Sequence, residues 1–137
     1  MSCSRRRRIV GLVLLLSAPA FAPAPAREAT KLSALAEARY QAALKQYEET
    51  WSYYQQARID TYQVYVWSRL ALDCRRDMAD KPADRLIALE EHLARMKKLE
   101  ALIKKVRRLG FGRSYDVGAS EYYPLEAEYW IAREKPQ

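Results

Sequence analysis

From Glu28 to Asp80 the chain contains neither glycine nor proline, and its apolar positions recur in threes and fours. Tyr40, Leu44, Tyr47, Trp51 and Tyr54 begin the series, and Thr61, Tyr65 and Leu72 continue it. Ala43, Ala57, Val64 and Ala71 widen the same stripe, which Arg58 alone interrupts. Steps of three and four place side chains on one face of an α-helix. Ala, Leu, Glu, Gln, Arg and Lys dominate the first half of this run, and they lose little rotamer freedom in a helix. The stretch Asp60 to Trp67 is richer in β-branched and aromatic residues. The stripe nevertheless passes through it, which predicts helix rather than strand.

Pro82 cannot continue that helix but is tolerated in the first turn of another, with Asp80 as a candidate cap. In the second run Leu86, Leu89, Leu93 and Met96 keep the spacing; Leu99, Leu102, Val106 and Leu109 continue it after a three-residue step. Acidic residues (Asp84, Glu90, Glu91) precede basic ones (Lys104, Lys105, Arg107, Arg108), the order the helix dipole favours. Gly110-Phe111-Gly112 breaks or bends the run, and Ser114 is a candidate cap for a last segment whose packed face reads Val117, Tyr122, Leu125, Tyr129 and Ala132. Pro124 falls inside that segment, where a kink is expected. The class is therefore all-α. Residues 28–80 and 82–134 are two arms of 53 residues each. Equal arms predict a long antiparallel, coiled-coil-like hairpin; the alternative is a compact three-helix bundle folded back at Gly110.

The first 26 residues differ in kind. Arg5 to Arg8 precede an apolar run from Ile9 to Leu16, and small residues follow. That order is the order of a cleavable signal peptide, with cleavage expected after Ala20 or Ala26. The apolar run is shorter than the ~20 residues a spanning helix needs. Residues 27–137 are then a single extracytoplasmic domain, periplasmic or secreted, with no transmembrane span. Of 24 basic residues, four lie in the signal segment; 20 remain against 17 acidic ones, a net charge of +3. So mild a charge, on an exported chain, does not point to nucleic acid. Cys74 alone survives processing, as a buried apolar filler or as a link between two chains.

The stretch from Arg107 to Glu134 resembles the helical repeat of TolC-type outer-membrane efflux factors. The residues that carry the resemblance are Gly112, Ser114, Asp116 and Val117, then Glu121, Leu125, Glu126 and Glu128. They cover about a fifth of the chain. The arrangement is also similar to small secreted proteins of planctomycete bacteria. Pro124 and Gly118 depart from the efflux-factor pattern, and nothing alternates as a barrel strand must. The resemblance implies a helical hairpin in a cell-envelope setting, without export by this chain.

Candidate chemistry is sparse. His92 is the single histidine and reads as a solvated helix position; with Cys74 it makes no metal set. Glu48-Glu49 and Glu90-Glu91 are sequence neighbours, so they point to different sides of a helix. No nucleophile motif or phosphate loop is present. No catalytic, cofactor or metal residue is expected, and the chain does not read as an enzyme. Two surfaces do emerge. Arg95, Lys97, Lys98, Lys104, Lys105, Arg107 and Arg108 form a basic run suited to an anionic envelope polymer or an acidic partner. Ile59, Tyr62, Val66 and Trp67 lie off the main stripe, in a stretch apolar on nearly every side. A two-helix hairpin cannot bury all sides, so this patch predicts self-association or docking on another envelope protein. The expected function is a non-catalytic extracytoplasmic coiled-coil interaction protein, with a helical holdase-type chaperone as the alternative.

Overall fold

A computed structural model describes residues 24–135, with side chains from residue 28 onward. Residues 1–23 of the expected signal segment, with the cleavage site after Ala20, lie outside the described residues, whereas Ala24 to Ala26 fall in the first turn of α1. Four helices follow in order: α1 (Ala24–Gln55), α2 (Thr61–Asp77), α3 (Pro82–Arg108) and α4 (Ser114–Glu134). The all-α class holds, and no strand occurs among the described residues. None of the described helices is long and apolar enough to cross a membrane.

The first arm is not one helix. It stops at Gln55 and restarts at Thr61. The stop is a Schellman motif, in which the N–H of Arg58 bonds the carbonyl of Tyr53 (3.0 Å) and that of Ala57 the carbonyl of Tyr54 (2.9 Å). The motif needs a left-handed residue, and Ala57 supplies it at φ 56°. Asp60 then caps α2 by accepting from the N–H of Gln63 at 3.2 Å. The break at Gly110 has the same construction. Phe111 bonds Val106 and Gly110 bonds Arg107, with Gly110 at φ 83°. Neither expected side-chain cap forms elsewhere: Lys81 precedes α3 and Arg113 precedes α4, both without a capping bond. α4 runs through Pro124, which is buried.

The break lets residues of the expected first arm meet each other. Arg39 pairs with Asp77 at 2.9 Å, and Ala43 packs with Ala71 and Cys74. Cys74 is thus a buried side chain in a cluster of alanines. Farther along, Tyr47 meets Val64, Met96, Leu99, Ile103 and Tyr123 in the largest apolar cluster, while Leu72, Ala88, Leu89 and Ile131 form another. α2 therefore touches all three other helices. Antiparallel pairing continues through α3 and α4, where Lys97 meets Glu128 and Arg85 meets Glu134. At one end Asp116 of α4 accepts from the hydroxyl of Thr61 (3.1 Å) and from Arg113 (3.2 Å), tying the starts of α2 and α4 together. α1 is longer than α2 (32 against 17 residues), so its first turns run past Asp77. Leu32 and Leu35 are exposed there.

Candidate interaction surface

α4 carries apolar side chains on two faces. Tyr123, Ala127 and Ile131 face the core together with Asp116, Ser120 and Pro124. The face expected to pack is mostly the other one. Val117 does reach the core, but Tyr122, Leu125, Tyr129 and Ala132 are exposed. With Tyr115 and Gly118 they form one stripe stepping 3-4-3-4-3 along the helix. Its four large members are 55–63% exposed. The core-facing side was hard to read because it is built from small and polar groups, whose burial depends on bonds such as Thr61–Asp116.

The stripe joins a row of rings that crosses from α4 to α2. Tyr122 meets Tyr123 edge-on, Tyr123 stacks on Tyr65 at 4.3 Å between centroids, and Tyr65 stacks on Tyr62 at 6.3 Å. Glu126 fixes the row by accepting from both Tyr65 (2.7 Å) and Tyr122 (3.0 Å). Burial, and then the carboxylate of Glu126, push the Tyr65 phenol up to about 12. It remains a donor at any ordinary pH.

The four residues of the expected off-stripe patch divide. Tyr62 is exposed at the end of the aromatic row. Ile59 and Trp67 are half-buried and pack against the largest cluster, and Val66 is half-buried. The basic run is also dispersed. Arg95 turns inward, its Nε donating to Ser68 at 2.8 Å. Lys97 pairs with Glu128, Lys98 lies over the ring of Trp51, and Lys104 pairs with Glu100. Lys105, Arg107 and Arg108 remain exposed in the last turn of α3.

His92 is not solvated; it is fully buried. Its Nδ1 lies 2.8 Å from the hydroxyl of Ser68, and its ring sits between Tyr65 and Trp130. Arg95 donates to that same hydroxyl, and Nε2 of the ring is buried without a hydrogen-bond partner. Burial, reinforced by Arg95 and Arg69, lowers its pKa to about 3. Serine beside histidine has the composition of a nucleophile and its base. Both side chains are closed to solvent, however, so neither can meet a substrate where it stands. The signal missed in the sequence was position: His92 lies one turn from Leu89 and Met96, both fully buried.

An open cleft of about 890 Å³ lies at the end where α1 meets α2 and α3 meets α4. Tyr54, Ile59, Leu102, Val106 and Phe111 give it apolar walls, and Arg58 and Arg113 balance Asp60 and Asp116 around it. No group of three or more metal-ligating side chains occurs among the described residues. Comparison with known proteins finds no match for this chain among family models, curated proteins or solved structures.

Proposed function

We propose that this chain is a non-catalytic helical interaction protein of the cell envelope, exported by its N-terminal signal. The observation that supports the reading is the exposed stripe on α4, continued onto α2 by Tyr62. An apolar stripe at coiled-coil spacing, left uncovered by the chain's own helices, is a docking face for another helix. The acidic groups beside it, Glu121, Glu126 and Glu128, set its polar margin. We further propose that α1 to α4 work as one compact antiparallel unit. Arg39–Asp77 and Thr61–Asp116 join residues that a long hairpin would hold far apart. The exposed Lys105, Arg107 and Arg108 are a separate, smaller site for an anionic envelope polymer.

The test is binding by the processed chain. Tyr62→Glu with Tyr122→Glu replaces two exposed rings without touching the core. We expect helical circular dichroism to stay unchanged while capture of envelope components by the tagged chain is lost. Capture equal to wild type would overturn the reading. The holdase alternative draws on Leu32 and Leu35, which are 70% and 57% exposed on the overhang of α1. Suppression of the aggregation of unrelated unfolded proteins, lost on Leu32→Ser with Leu35→Ser and not on the tyrosine changes, would favour it instead.

A further inference from the structure

Gly118 stands inside α4 with helical neighbours on both sides, and a methyl group added there would meet nothing within 4 Å. Glycine is among the poorest helix formers, and here neither a turn nor a close contact within the chain calls for it. Close approach by something outside the chain would. The position is the second of the exposed stripe Tyr115, Gly118, Tyr122, Leu125, Tyr129 and Ala132. Reversed end to end and laid on itself, that stripe matches large against small at its two outer pairs and large against large at its centre. Tyr115 meets Ala132, Gly118 meets Tyr129, and Tyr122 meets Leu125.

We propose that the occupant of this face is a second copy of the chain, with α4 packed antiparallel on α4 about a two-fold axis that crosses the helix between Tyr122 and Leu125. The inference rests on the interaction reading above and names its partner. The flank is compatible with the same occupant. Glu121 and Glu128 line the α3 side of the stripe. Lys97 pairs with Glu128 at 2.8 Å, and Lys104, held charged chiefly by its hydrogen bond to Glu100, also lies near Glu121. A two-fold axis across the helices reverses their direction but keeps the α3 sides together. In this register Glu121 of one copy lies nearly level with Glu128 of the other, and each acid keeps a lysine of its own α3 beside it. The area is of the right order. Large aromatic side chains carry about 150–250 Å² each, so the exposed parts of Tyr115, Tyr122, Leu125 and Tyr129 leave roughly 400 Å² per copy. Two copies give roughly 800 Å² from the stripe, below the ~1,200 Å² of standard stable interfaces, which makes the pair a weak, concentration-dependent one.

The experiment is sedimentation of the processed chain and three variants at matched concentrations. Gly118→Leu fills a space that is open in the single chain and favours helix, yet collides with Tyr129 of the second copy. Its helical circular dichroism should equal wild type while dimerisation weakens by at least about tenfold. Gly118→Leu with Tyr129→Ala exchanges the large and small partners and should restore the dimer; Tyr129→Ala alone should weaken it. A wild-type chain that stays monomeric, or a dimer indifferent to Gly118→Leu, overturns the proposal. A monomeric wild type that still loses envelope capture on Tyr62→Glu with Tyr122→Glu overturns the second copy and leaves the interaction reading standing. A monomeric wild type whose envelope capture is unchanged by those substitutions overturns both.

Discussion

His92 shows how much one buried side chain sets at the residue scale. Its imidazole is held neutral by burial and by the cations Arg95 and Arg69, with a pKa lowered to about 3 from an ordinary 6.5. The unfolded chain takes up a proton as pH falls through 6.5, whereas the folded chain does not until about 3. The contribution of His92 to stability is therefore fully present above 6.5. It is lost progressively as pH falls from 6.5 to 3, at about 1.4 kcal/mol per pH unit. Chemical denaturation between pH 7 and 4 should show that slope, and His92→Gln should flatten it. The imidazole resonances of the folded chain should not titrate above pH 4. A midpoint near 6.5 would place His92 in water. His92→Ala should cost ~2–5 kcal/mol, because it opens a core cavity and leaves the Ser68 hydroxyl without its imidazole partner. The sequence-level expectation of a solvated histidine failed for a physical reason. Polarity alone does not reveal that a serine from another helix waits 2.8 Å from the ring.

At the scale of the element, two helix stops share one geometry and differ in legibility. Gly110 announces its stop because glycine adopts positive φ without strain, and the break was expected there. Ala57 adopts φ 56° with no such announcement, and the break was missed. A left-handed alanine costs roughly 1–2 kcal/mol, which the bonds from Arg58 and Ala57 and the packing of α1 on α2 must offset. The readable signal lay just after it: Asp60 followed three positions later by Gln63 is a helix start. Ala57→Gly should therefore leave stability unchanged or raise it by up to about 1 kcal/mol, since relief of strain exceeds the added freedom of the unfolded chain. Ala94→Gly, exposed within α3, should lose about 1 kcal/mol. Equal losses in thermal melts of the two would mean α1 continues through residue 57. Asp60→Ala should cost about 1 kcal/mol by removing the cap on Gln63. Helix α4 teaches the complementary lesson. The period of its apolar residues was legible, yet the face was inverted, because the stripe that reads as core in isolation is the one left outside.

For the whole molecule, the decisive quantity is the distance between residues 39 and 77. Helical periodicity is local, so two successive helices with one phase look like a single long one, and the 53-residue arm followed from that. What selects between them is a contact across 38 positions, the ion pair of Arg39 with Asp77, which no local pattern encodes. One unbroken helix would separate these residues by about 57 Å, at ~1.5 Å per residue. In the folded structure their side chains touch at 2.9 Å. The pair is exposed on both sides, so it contributes little stability and can be replaced without unfolding the chain. Spin labels on Arg39→Cys and Asp77→Cys, in a Cys74→Ala background, report the distance directly. Cys74 is buried among alanines, so that background change preserves the packing of α1 on α2. We expect a narrow distribution at short distance, unchanged on dilution. A maximum near ~57 Å would favour the long hairpin over the compact unit. A short distance that disappears on dilution, or on mixing with excess unlabelled chain, would instead place the contact between two copies.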